Sequence, residues 1–261
     1  MQVSKIAGED EVKRKAVGEG TPPAICVPLV GRTKGEIAAE LAHILTQKPD
    51  MLEWRADFFQ DIGNEQEVLA VADLITGTAR NVPVIFTIRS NREGGQPISL
   101  SDGEALSLRA AVCTHTDIEY IDCELSNAPE HIVLLRDIAH EHNKKIIASF
   151  HQHLYTPTKK FLLAKLAEAQ EQGMDIAKIA VMPCSMEDII LLLSVSLEAN
   201  RQMNIPIIVI AMGPYGVITR IAGGVFGSAA TFALGHKASA PGQVPIDDLR
   251  TVLNTLEQSM K

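Results

Sequence analysis

The chain has 261 residues, of which 46% are apolar and 21% charged, a balance that suits a folded globular protein and excludes a disordered one. Its formal net charge is −8, from 24 basic and 32 acidic side chains. No basic stripe is available to meet a phosphate backbone, so nucleic-acid binding is excluded as the main task, although a local arginine cluster can still hold a small anion.

Short apolar runs rich in Val and Ile alternate with longer stretches of helical periodicity. The strands are predicted at 24–30, 51–55, 84–88, 118–123, 145–149, 176–182, 206–211 and, less clearly marked, 229–233. The first of them, AICVPLV, contains Pro28, which predicts a frayed or kinked C-terminal end. Between the strands, KGEIAAELAHILTQ, EQEVLAVADLITGTA, EHIVLLRDIAHEH, KKFLLAKLAEAQEQG and MEDIILLLSVSLEAN repeat apolar residues every three or four positions. Gly173 reads as a helix C-terminal cap. About eight strand–helix units in this length are the arithmetic of a (β/α)8 TIM barrel. The expected organisation is a single domain over 1–261, with residues 1–20 as a short N-terminal extension capping the barrel bottom. The competing architecture, a doubly wound open sheet, usually carries GxGxxG after its first strand, and PLVGRTKGE has no such motif.

The N-terminal MQVSKIAGEDEVKRK has no apolar core of a secretory signal, and the apolar runs IILLLSVSL and IPIIVIAM are too short to span a bilayer. Cys26, Cys113, Cys123 and Cys184 form no CxxC pair and read as core residues of a reducing compartment, so a cytoplasmic protein with no membrane partner is expected.

In a barrel, chemistry comes from the C-terminal ends of the strands. LEWRADFF puts Glu53, Arg55 and Asp57 on one face by period two. FTIRSNREGG supplies Arg89 and then Glu93, and IDCEL supplies Asp122 and Glu124. ASFHQH supplies His151 and His153, and DIAKIAVMPC places Lys178 inside an apolar strand. The last two units lead to Arg220 and to Ser239 and Gln243. A buried lysine is costly unless it finds a partner or loses its proton, and the neutral amine is the form that attacks a ketone. The bland alternative is a lysine that snorkels to the barrel mouth. Histidine titrates near neutral pH, so His151 suits acid–base work with Glu93 as its orienting carboxylate. His151 and His153 as metal ligands lack a third partner at local spacing, and no metal or other cofactor is expected. Arg55, Arg89 and Arg220 together suggest a carboxylate pocket, while each alone reads as a salt bridge to Glu53, Asp57 or Glu124. The glycines of AGGVFGSAA leave a phosphorylated substrate open. The residues thus describe a metal-free Schiff-base enzyme acting on a small anionic carbonyl compound. An aldolase built on the same lysine, and a barrel that only binds a carboxylate metabolite, are the competing readings.

From GEGTPPAICVPLVG to the C-terminus the chain resembles the type I 3-dehydroquinate dehydratases. The motifs that carry the resemblance are LEWRADFF, FTIRSNREGG, AKIAVMP, GVITRIAGGVFGSAATFA and ASAPGQVPIDDLRTVL. The resemblance implies a lyase of the shikimate pathway that converts 3-dehydroquinate to 3-dehydroshikimate and water. It implies that Lys178 forms the imine, that His151 is the general acid/base, and that Glu93 orients it. It also implies that Arg220, Ser239 and Gln243 hold the substrate carboxylate under a closing loop, that Glu53, Arg55 and Arg89 line the hydroxyl side, and that the protein is a homodimer. Three positions depart from the family pattern. His151-Gln152-His153 replaces a His-Asp-Phe run, Ala211-Met212-Gly213 replaces a Ser-Met-Ser run, and Pro28 stands where some members have serine.

Overall fold

The computed structural model describes residues 22–235 and 239–261. The expected cap formed by residues 1–20 lies outside the described residues. Eight parallel strands form one sheet: β1 Ala24–Leu29, β2 Met51–Arg55, β3 Val84–Thr87, β4 Tyr120–Glu124, β5 Lys145–Gln152, β6 Ile176–Val181, β7 Ile207–Ala211 and β8 Ala230–Phe232. The helices between them are α1 Lys34–Thr46, α2 Glu65–Ala79, α3 Asp102–His115, α4 Pro129–Glu141, α5 Lys159–Glu171, α6 Met186–Gln202, α7 Val217–Ala222 and α8 Ile246–Ser259. The strands follow the order β7-β6-β5-β4-β3-β2-β1-β8, and an isolated parallel bridge from Ile207 to Ser228 brings the two ends together. This is a (β/α)8 barrel.

The local signals explain why the elements begin and end where they do. Thr33, Asn64, Ser101 and Thr158 accept from backbone N–H groups at the starts of α1, α2, α3 and α5, and Ser101 with Glu104 closes a capping box. Gly173 follows α5 at φ +73°, a left-handed position that glycine adopts without a Cβ penalty. Along each strand, alternate residues face the barrel axis or the helices. Trp54, Phe86, Ile121, Ile146, Ile179 and Val209 pack outward into the main core between sheet and helices. A second apolar cluster, including Cys26, Met51, Ile85, Tyr120, Ile147, Ile176 and Ile208, fills the interior.

Two sequence expectations change. The strand β1 does not fray at Pro28; all six of its residues are buried and Pro28 pairs in register with Glu53. Even-numbered residues of β1 turn their backbone toward β8, where Ala24 N–H donates to Ala229 O and Ala233 N–H donates to Cys26 O. The β1–β8 pairing ends at Cys26, so the missing proline N–H forfeits no bond. The strand β5 runs three residues past its expected end, because its register with β6 continues through His151↔Ala180 and Gln152↔Val181. His151 therefore stands on the sheet and not in a loop. Among the described residues no helix is long and apolar enough to cross a membrane.

Candidate active site

A cleft of about 340 Å³ opens at the C-terminal end of the barrel. Its lining includes the nine residues to which the family resemblance gives a role: Glu53, Arg55, Arg89, Glu93, His151, Lys178, Arg220, Ser239 and Gln243. His153, Met182, Met212 and Phe232 also contribute to it.

Lys178 lies on β6 with its alternate neighbours Ile176 and Ala180 in the interior cluster. Period two therefore turns its side chain to the axis. The ammonium is buried, 3.3 Å from Glu53 Oε1 and 4.2 Å from the centre of the Phe232 ring. Glu53 Oε1 also accepts from Thr87 Oγ1 at 3.1 Å. The cation thus meets an anion on one side and an aromatic face on the other, which offsets the cost of its burial.

On the neighbouring strand, Ser149 stands level with Lys178, and His151 lies two residues, roughly 7 Å, further toward the mouth. Its Nδ1 is 3.0 Å from Glu93 Oε2, and its backbone N–H donates to the same oxygen at 3.0 Å. Since that oxygen already serves as an acceptor, Nδ1 is the donor and Nε2 is left as the basic nitrogen. Burial lowers the His151 pKa well below 6.5, with the cations Arg89, Lys178 and Arg55 adding to the effect. The histidine is therefore neutral, and a base, at neutral pH. No group of three His, Cys, Asp or Glu side chains that could hold a metal ion occurs among the described residues.

The three arginines divide into two kinds. Arg55 is bidentate to Asp57, through Nε and Nη2 at 2.8 Å each. Arg89 donates to Asp122 Oδ2 at 2.8 Å, to Glu124 Oε1 at 2.9 Å and to Ser149 Oγ at 3.0 Å. Burial works against its charge, but the carboxylates of Asp122, Glu124, Glu93 and Glu53 outweigh burial and raise its pKa. Asp122 shows the reverse balance: burial favours its neutral form, yet Arg89 and then Lys178 keep its pKa low. Arg220 is different. It is buried, and its Nη atoms donate only to the backbone carbonyls of Phe232 at 2.9 Å and Pro241 at 3.3 Å. Its Nε has no partner, and no carboxylate among the described residues pairs with it. Burial alone lowers its pKa to about 10. A guanidinium left in this state is able to pair with a carboxylate.

Over Arg220 lies the loop that carries Ser239 and Gln243. Gln243 Oε1 accepts from Ser239 N–H at 2.9 Å, and Gln243 Nε2 donates to Ser239 Oγ at 3.2 Å. This loop seats on Gly213, one of the residues that depart from the family pattern, whose N–H donates to Pro241 O at 3.2 Å. Gly242 sits at φ +77°, and a Cβ there would come within 2.1 Å of Gly213 O.

The sequence reading missed Ser126, Thr87, Ser149 and Phe232. Each touches a site residue from another strand or loop, and none carries a charge that would have marked it in the sequence.

The family model for type I 3-dehydroquinase matches residues 25–260. The 3-dehydroquinate dehydratase of Aromatoleum aromaticum is 47% identical over 251 residues, covering 96% of each chain. The crystal structure of the 3-dehydroquinate dehydratase from Geobacillus kaustophilus superposes with a TM-score of 0.91 at 45% identity, covering 93% of this chain and 94% of that one. The type I enzyme from Clostridium difficile, solved with covalently modified comenic acid, gives a TM-score of 0.89 at 36% identity, over 93% of this chain and 95% of that one.

Proposed function

The chain belongs to the type I 3-dehydroquinate dehydratase family, and we propose that Lys178, His151 and Glu93 are the residues through which it works. It is a Schiff-base hydro-lyase of the shikimate pathway that converts 3-dehydroquinate to 3-dehydroshikimate and water. In its deprotonated form Lys178 Nζ adds to the C3 ketone and water leaves, giving an imine that draws electrons from the neighbouring carbon. His151 Nε2 removes the C2 proton, the C1 hydroxyl departs as water on receiving a proton from the imidazolium, and water hydrolyses the imine to free Lys178. Glu93 holds Nδ1 and steadies the imidazolium while it carries the proton. Arg220 takes the substrate carboxylate, with the Ser239–Gln243 pair closing over it and excluding bulk water from the enamine. Glu53, Arg55 and Arg89 line the hydroxyl side.

The observation that carries this reading is the placement of the buried Lys178 amine in the same cleft as a neutral His151, with Arg220 unneutralised beside them. A cytoplasmic homodimer of one barrel domain completes the reading. Support for the dimer comes from Leu154 and Ile190, exposed at 70% and 67%, with Tyr155 and Met186 nearby in sequence on the β5–α5 connection and α6. The four unpaired cysteines suit a reducing compartment.

Borohydride reduction in the presence of 3-dehydroquinate, followed by intact-mass measurement, tests the centre of the proposal. The native chain is expected to gain the mass of one ligand less a water plus two hydrogens, mapping to Lys178, and Lys178→Ala is expected to gain none and to lose turnover by about 10⁴-fold or more. A folded native protein that forms no adduct and leaves the substrate intact overturns it.

A further inference from the structure

We propose that Ser126 is a positioning residue for proton transfer: its hydroxyl turns the Glu93 carboxylate so that one oxygen always faces His151 as an acceptor. The inference rests on the reading of His151 as the acid–base group. Ser126 follows β4 and stands outside every motif considered above. Its Oγ donates to Glu93 Oε1 at 2.7 Å, the shortest of the contacts made to that carboxylate.

Among the described residues, every hydrogen-bond or ion-pair partner of the Glu93 side chain is a donor. Oε1 accepts from Ser126, and Oε2 accepts from the Nδ1 and the backbone N–H of His151, with Arg89 Nη1 at 3.6 Å. A proton taken up in this setting would weaken or reverse one of these bonds. Protonation at Oε1 would force the serine hydroxyl to give up its donated bond or turn round and accept. Protonation at Oε2 would turn that oxygen into a donor toward Nδ1, which must then be bare to accept, so the ring proton would sit on Nε2 facing the cleft, the wrong tautomer for a base.

The surroundings make this arrangement delicate. Arg89 approaches Glu93 from the end of β3, Asp122 and Glu124 from β4, and His151 from β5. His153 packs beside the adjoining Gly94, where a Cβ would lie 3.7 Å from its ring. Burial first, then the charge of Glu124, raises the Glu93 pKa to about 7. Arg89 and the Ser126 hydroxyl pull it down, and Asp122 adds a smaller upward push. A carboxyl poised this close to neutrality loses its role as an acceptor when one donor is removed. Without Ser126, Oε1 would be a buried oxygen with no partner, and the carboxyl would take up a proton at higher pH.

The test compares Ser126→Ala and Ser126→Thr with the native enzyme in kcat and KM for 3-dehydroquinate from pH 5 to pH 9. In the alanine variant kcat at pH 7 is expected to fall about tenfold while KM moves less than about twofold. The acid limb of the kcat profile is expected to move up by about one pH unit, and threonine is expected to restore both. A profile that overlays the native one overturns the inference. So does an equal loss of kcat at every pH with the acid limb in place, which is the mark of a merely structural contact. If the native protein does not turn over 3-dehydroquinate, the functional reading fails, and the serine is judged by nitrogen-15 spectra of the histidines without substrate. Those spectra should show His151 with its proton on Nδ1 at pH 7 in the native protein, and a departure from that state at higher pH in Ser126→Ala. The same His151 titration in both proteins overturns the positioning role.

Discussion

The interior of the barrel holds two layers built on the same strands and the same face, one step of period two apart. In the lower layer β2 to β6 present Met51, Ile85, Tyr120, Ile147 and Ile176. One step nearer the mouth they present Glu53, Thr87, Asp122, Ser149 and Lys178, all buried. Backbone geometry and burial are shared, so neither distinguishes stability from chemistry. What differs is how each layer meets the cost of being dry. The lower layer removes apolar surface from water and needs no partners. The upper layer holds charges, and each must be neutralised by a neighbour at hydrogen-bond distance. Asp122, Glu124 and Ser149 all close on Arg89, and Glu53 closes on Lys178. Arg220 is left over, with no carboxylate partner among the described residues, which is why an anionic substrate is proposed to complete it.

The comparison can be sharpened in order of expected effect. His151→Ala removes the group proposed to move the proton and leaves the lysine in place, so kcat should fall about 10²–10⁴-fold while borohydride still traps some adduct. Full activity in that variant would remove His151 from the mechanism and turn attention to His153. Asp122→Asn turns a neutralising acceptor into a group that also presents an amide donor beside the Arg89 guanidinium. Breaking such a buried pair should cost about 3–5 kcal/mol, read as a melting temperature lower by about 10 °C. An unchanged melting temperature would show that the upper layer tolerates unpaired charge and that the contrast drawn here is wrong. Ile85→Val trims one methylene from the lower layer, so it should cost about 1 kcal/mol in chemical denaturation and leave kcat within about twofold. A large loss of kcat from that change would mean that the two layers are mechanically coupled.

Much of this was legible in the residues. The alternation of apolar runs and helical periods gave the barrel, and strand boundaries agree within two residues except at the end of β5. There His151-Gln152-His153 looks polar enough to be a loop, and only the pairing with β6 keeps it on the sheet. The period-two placement of Glu53, Arg55 and Asp57 was equally visible, and Arg55 does pair with Asp57 within its own segment. Arg55, Arg89 and Arg220 looked alike in sequence as anion-binding candidates, yet two of them are paired with carboxylates. Ser126 carried no signal, because a serine in ELSNAPE is an ordinary loop residue until Glu93 is brought beside it.

The sequence by itself determined which way each side chain points, since the alternation along a strand is fixed by the backbone and needs no other part of the chain. It thereby set Lys178 facing the axis and identified the family through motifs spread over nearly the whole length. Only the tertiary structure decided who neutralises whom. Glu53 reaches Lys178 across 125 positions, and Arg89 reaches Asp122 and Glu124 across 33 and 35. Electrostatic energy depends on distances between charges, and those distances follow from strand order and register around the closed barrel.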